Sequence, residues 1–154
     1  MRKLLFTAVA LGALAIPSSA WGQTVVGPVL AYHDQGWINS LGVGGFVSIP
    51  LTQTNVNLSI RPEVVVYFPD QADYWEANVD LIYRFPVSSS AAIAPFVLGG
   101  LNFANGGGST DLGINLGGGI QFPSASVRPV VGAKVELEGG DDLVLFGAIG
   151  FPIG

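Results

Sequence analysis

Apolar and polar residues alternate with a period of two through most of the chain, the pattern of half-buried β-strands rather than of helices. Between 37 and 50, Leu41, Val43, Val47 and Ile49 share one face, while Ser40, Gly42, Gly44, Phe46 and Ser48 share the other. Between 55 and 69, Val56, Leu58, Ile60, Val64, Val66 and Phe68 stand against Asn57, Ser59, Arg61, Glu63, Val65 and Tyr67. Between 74 and 86, Trp75, Ala77, Val79, Leu81, Tyr83 and Phe85 oppose Tyr74, Glu76, Asn78, Asp80, Ile82 and Arg84. The split recurs in 109–122, where Leu112, Ile114, Leu116 and Ile120 oppose Asp111, Gly113, Asn115 and Gly117. In 126–138 it sets Val127, Val131, Val135 and Leu137 against Arg128, Lys134, Glu136 and Glu138. The predicted strands are 24–33, 37–50, 55–69, 74–86, 91–104, 109–122, 126–138 and 142–152. The first, fifth and last are apolar on both sides, and alternation does not orient them.

Prolines punctuate this pattern with a repeat of about 34 residues. Pro28, Pro62, Pro95 and Pro129 start or interrupt alternate strands, and Pro50, Pro86, Pro123 and Pro152 close the others. Proline cannot donate to a β-ladder, so it marks strand ends, rims and bulges. Four hairpins and eight strands follow. The connections are short throughout. Those around Asp34-Gln35-Gly36, 69–73, 104–108 and 138–142 carry Asp34, Asp70, Asp73, Glu138, Asp141 and Asp142, whereas 52–54, 87–90 and 123–125 carry no charge.

Residues 1–22 read as a signal peptide rather than as part of the fold. Arg2 and Lys3 precede an apolar run from Leu4 to Ile16, and Pro17-Ser18-Ser19-Ala20 offers small residues for cleavage after Ala20 or Gly22. The run is too short to span a membrane as a helix. Residues 23–154 then form one domain. There is no cysteine, so neither a disulfide framework nor a lipid anchor on cysteine is available. Without Arg2 and Lys3, four of the six basic residues remain against 11 acidic ones, a balance of −7. That excludes a basic footprint for nucleic acid. Charged residues make up 11% of the chain, against roughly 25% in ordinary soluble domains.

All four remaining basic residues, Arg61, Arg84, Arg128 and Lys134, fall on the polar face, together with Glu63, Glu76, Asp80 and Glu136. Alternation alone does not say which face is inside. A soluble lipocalin-like barrel would bury the aliphatic face. The opposite arrangement suits a polar face rich in Gly, Ser and Asn with balanced charge, lining a barrel just wide enough for side chains. It also keeps the basic residues out of lipid, where each would cost roughly 2–4 kcal/mol at the bilayer centre. The aromatic residues then form two belts: Tyr32, Trp37, Phe68, Trp75 and Phe103 at one end, and Phe85, Phe122 and Phe151 at the other, as expected of girdles at the two membrane interfaces. The expected fold is all-β: an eight-stranded antiparallel up-and-down transmembrane β-barrel, preceded by a cleavable signal peptide. Closure removes every sheet edge, as lipid requires.

On these residues the chain resembles the small outer-membrane β-barrel proteins of OmpA/OmpX type over its whole mature length. The segment Ala94-Pro95-Phe96-Val97-Leu98-Gly99-Gly100-Leu101-Asn102-Phe103 looks like the Pro-aromatic-Val-Gly-x-Gly strand of such barrels. The resemblance implies outer-membrane localisation with both termini periplasmic, contact with outer-membrane lipids and lipopolysaccharide, and insertion by the barrel assembly machinery. It implies a monomer and no cofactor. Two features depart from it. Phe151 is followed by Pro152-Ile153-Gly154 instead of ending the chain, and the loops are too short for an adhesin.

Candidate chemistry is sparse. His33 is the only histidine and sits beside Asp34 at a strand end, with Ser40 on the next strand. Some lipid A acyltransferase and deacylase barrels use a His-Ser site, but none of their other motifs is present, and the simpler expectation is an exposed histidine flanking a loop. Arg61 is expected opposite Asp80, with Gly42 and Gly44 leaving room for the guanidinium, so that the lumen charges form a paired plug. Asp70, Asp73, Asp141 and Asp142 are weak candidates for divalent cations at the outer rim. The leading expectation is a structural, envelope-maintaining, non-catalytic barrel. The alternatives are a narrow porin-like channel, a lipid A-modifying enzyme and a soluble ligand-binding barrel.

Overall fold

The structure, a computed structural model, describes residues 23–34, 39–51, 57–69, 74–88, 90–123, 126–137 and 141–153. Eight strands run in chain order: β1 (Thr24–Asp34), β2 (Asn39–Pro50), β3 (Leu58–Tyr67), β4 (Tyr74–Arg84), β5 (Ala94–Gly106), β6 (Ser109–Gln121), β7 (Arg128–Leu137) and β8 (Asp141–Ile153). Each pairs antiparallel with its sequence neighbour, and β1 pairs with β8 to close the barrel. At 10 to 13 residues, the strands match the roughly 9–11 needed to cross a bilayer when tilted. The expected strands differ mainly at their ends. β5 begins at Ala94 rather than 91; the Ala91 amide donates to the Ser88 carbonyl instead of to a ladder.

The prolines act on the ladders on one side only. β1 pairs with β8 from Thr24 to Val26 and again from Val29, and the break falls at Gly27-Pro28. β2 pairs with β3 on either side of Arg61-Pro62. Pro95 and Pro129 lie at strand starts, where a missing amide costs little.

The pleat separates two surfaces. Outside, Leu30, Leu41, Leu101, Leu116 and Leu145 each expose between 47% and 58% of their area. Inside lie the polar residues of β2, β3, β4, β6 and β7. The three strands that alternation left unoriented turn Val25, Val29, Ala31 and His33 (β1), Ala94, Phe96, Leu98 and Asn102 (β5), and Asp142, Val144, Phe146 and Ala148 (β8) inward. The lumen is therefore not uniformly polar. Phe46, Phe96 and Phe146 belong to an apolar cluster within it. A narrow barrel must be filled to protein density, and aromatic rings supply that volume.

Connections at the end opposite the chain termini, the far end, span four, six, two and three residues; those at the terminal end span seven, nine and six. The shortest is Gly107-Gly108, with φ of 60° and 90°, between the paired Gly106 and Ser109. Two successive positive φ values are the requirement of a two-residue hairpin whose twist matches its strands.

Candidate functional site

The barrel register assembles the interior charges. From β3 round to β8, Arg61 pairs with Asp80, Asp80 with Gly100, Gly100 with Asn115, Asn115 with Glu136, and Glu136 with Asp142. Each step crosses one strand, and every partner points to the same face as the last. A second row joins Gly117, Lys134, Val144, His33 and Ser40. Residues more than 100 positions apart thus meet in one buried cluster.

Within it, Arg61 Nη2 lies 3.5 Å from Glu63 Oε2 and 3.8 Å from Asp80 Oδ2. The Arg61 guanidinium also stands over the rings of Phe46, at 5.7 Å, and Phe146, at 5.2 Å. A cation on two aromatic faces is held electrostatically where water is excluded. Lys134 Nζ reaches Glu136 Oε1 at 2.9 Å and Glu63 Oε1 at 3.7 Å. Asn115 donates to Asn78 at 3.0 Å and to Asp80 at 2.9 Å. The register expected for Arg61 and Asp80 is present, but the role given to Gly42 is not. A side chain at Gly42 would run into the Tyr67 ring, so the space it leaves is occupied by Tyr67 rather than by Arg61.

Arg84 and Arg128, grouped with these charges on the sequence, lie apart at the terminal end. Arg84 is held by neutral groups, donating to Gln121 at 2.8 Å, Ser59 at 3.0 Å and Ser48 at 3.4 Å. Arg128 donates to Gln23 at 2.9 Å. With Arg61 they line a small cavity that also includes Phe46 and Phe96. The reason for the separation is axial: β4 enters the lumen at Glu76 near the far end and leaves it at Arg84 near the terminal end.

His33 is a correction to the sequence reading. It is fully buried rather than exposed, because its odd-numbered position on β1 shares the inward face with Val29 and Ala31. Its ring packs at a tilt against Tyr67 and Tyr74, with centroids 5.3 and 5.5 Å away. Nδ1 lies 3.5 Å from Glu76 Oε1, and Nε2 lies 3.7 Å from Asp142 Oδ2. Ser40 pairs with it across the ladder, but the Ser40 hydroxyl donates to the Leu41 carbonyl, so no Ser-His dyad forms. Asp142 is likewise buried in the lumen instead of standing on a solvated rim. Asp70 and Asp73 lie outside the described residues, as does the side chain of Asp141. The sequence placed Glu76 and Glu136 on one polar face, but nothing in it joined His33 or Asp142 to them. The signal available was parity: all four lie on inward positions near far-end connections.

Of the eight belt aromatics, Tyr32, Phe68, Phe85, Phe103, Phe122 and Phe151 are exposed on the outer surface, Trp75 is half-buried, and Trp37 lies outside the described residues.

No protein-family model matches the sequence, and no curated protein matches it. Solved structures do. The N-terminal β-barrel domain of Pseudomonas aeruginosa OprF superposes with a TM-score of 0.67 at 16% identity, covering 86% of this chain and 99% of that one. Neisserial surface protein A does so at 0.67 and 12% identity, covering 85% and 96%. The fold is that of the small outer-membrane β-barrels. The outer membrane enzyme PagL shares it too, with a TM-score of 0.55 at 14% identity over 84% of this chain and 99% of that one. Since one protein of this fold is an enzyme, the fold alone does not decide function, which has to be argued from the site.

Proposed function

We propose that the chain is an integral outer-membrane β-barrel with a filled lumen and short loops, and that its role is structural and envelope-maintaining rather than catalytic. The observation that carries this reading is the inverted polarity. Every strand turns aliphatic side chains outward, while Arg61, Glu63, Glu76, Asp80, Lys134 and Glu136 are buried within. Large apolar side chains stand exposed along most of the strands, whereas soluble monomers rarely expose contiguous apolar patches beyond a few hundred Å². In lipid, the same surface needs no cover and closure satisfies the backbone.

Under this reading residues 1–22 direct export, both termini are periplasmic, and the far end faces outward. The exposed aromatics form the two interfacial girdles, and lipopolysaccharide and the assembly machinery are the partners of a monomer. His33 argues against the His-Ser chemistry of the lipid A-modifying alternative, since it is buried in the lumen and the Ser40 hydroxyl donates to the Leu41 carbonyl. The test is fractionation of producing cells followed by gel mobility in SDS with and without boiling. Recovery in the washed outer-membrane fraction with a heat-dependent shift is expected. Recovery in the soluble periplasm would overturn the membrane reading.

A further inference from the structure

We propose that His33, Glu76 and Glu136 form a binding site for one divalent transition-metal ion of the zinc class, inside the lumen near its far end. One ligand atom from each lies within 4.8 Å of the others, and all three residues are buried. The 3.5 Å between His33 Nδ1 and Glu76 Oε1 is close to the edge of a tetrahedron drawn with bonds of about 2.1 Å, which is about 3.4 Å.

The groups around the three ligands match what a metal site requires of its surroundings. A metal-bound histidine usually gives its second ring N–H to a carboxylate, which fixes the tautomer. Here Asp142 Oδ2 lies 3.7 Å from Nε2, too far for a hydrogen bond in this arrangement but on the side where such a carboxylate would stand, and Nδ1 is turned toward Glu76. Tyr67 donates to Glu76 Oε2 at 3.2 Å, and Glu76 Oε1 accepts no hydrogen bond. Lys134 sits on Glu136 Oε1, and Glu136 Oε2 accepts none. Glu76 and Glu136 are thus each held at one oxygen by a lumen partner, while the other oxygen accepts no hydrogen bond. Neither His33 nitrogen makes a hydrogen bond, although the ring is fully buried.

Charge points the same way. Among the described residues, five carboxyl groups, Glu63, Glu76, Asp80, Glu136 and Asp142, are buried beside two cations, Arg61 and Lys134. Buried carboxylates must be compensated, and a divalent ion bound between Glu76 and Glu136 would do so where the two cations do not suffice. An imidazole ligand selects zinc-class ions over calcium and magnesium, which take oxygen shells.

The experiment uses untagged barrel refolded in detergent, stripped with chelator and titrated with Zn²⁺ by calorimetry, with Co²⁺ as a spectroscopic probe. Expected are one ion per barrel, a visible Co²⁺ spectrum of low coordination number, and no competition from equimolar Ca²⁺ or Mg²⁺. His33→Ala and Glu136→Gln should each weaken binding at least tenfold while keeping the heat-dependent gel shift. Glu76→Gln provides a third variant should either of those fail to fold. Absence of saturable one-to-one binding, or affinity unchanged in the folded variants, would overturn the proposal. The outcome is independent of membrane localisation, which the fractionation test addresses separately.

Discussion

Arg61 shows how much one side chain can carry in this interior. It neutralises Glu63 and Asp80, fills volume between Phe46 and Phe146, and is itself almost fully buried. Its removal takes the ion-pair partner from the buried Asp80 and leaves Glu63 with Lys134 alone, which costs on the order of 3–5 kcal/mol. Arg61→Met should therefore lower unfolding free energy by about that amount, measured by urea titration of the refolded barrel in detergent. Because the charges act as a set, Arg61→Met combined with Asp80→Asn should cost less than the sum of the two single changes. Strict additivity would mean that the pair is not coupled. The residue scale is also where the sequence reading was least complete. His33 looked like a loop-flanking residue because its neighbour Asp34 and the Gln35-Gly36 turn are polar. Its burial depends on partners supplied by β4, β7 and β8.

At the scale of the strand, parity sorts the side chains into two faces, and the charged, Gly-, Ser- and Asn-rich content of one of them marks the other as outward. Leu116, in the middle of β6, is flanked by the inward Asn115 and Gly117 and exposes 54% of its area. An arginine there would face lipid, at a cost of about 2–4 kcal/mol near the bilayer midplane. Leu116→Arg should accordingly destabilise the barrel by that amount in lipid vesicles, and by much less in a detergent micelle that lets the side chain reach water. Equal effects in both would mean that this face does not meet lipid. Five strands were oriented by their sequence alone, since each places charge or Gly, Ser and Asn on one side. β1, β5 and β8 were not, because their inward residues Val25, Val29, Phe96, Leu98, Val144 and Phe146 are as apolar as the lipid-facing ones. The aromatic packing inside a narrow barrel erases the very contrast on which parity depends.

For the whole molecule, the lumen content bears on transport. Phe46, Phe96 and Phe146 cluster across the interior, and the ion pairs of Arg61 and Lys134 stand beside them. Eight strands enclose little more than the side chains they carry. Planar-bilayer recordings of the purified protein should consequently show no steady, large conductance. Such a conductance, if sustained and proportional to protein added, would favour the channel reading over the filled barrel. The far-end connections, none longer than six residues, also leave little material for an extended adhesive surface.

The chain by itself determined eight strands, their hairpin order and the outward face of five of them. Those properties are local: period-two alternation, proline punctuation and short polar turns are written within ten or so consecutive residues. Tertiary structure alone decided the rest. Closure of β1 on β8 brought His33 beside Asp142, and the stagger of successive strands carried Arg61, Asp80, Asn115, Glu136 and Asp142 into one row. It also sent Arg84 and Arg128 to the opposite end, although they share the parity of the others. Parity tells which way a side chain points. Only the register of the closed barrel tells how high it stands along the axis, and therefore which charges meet.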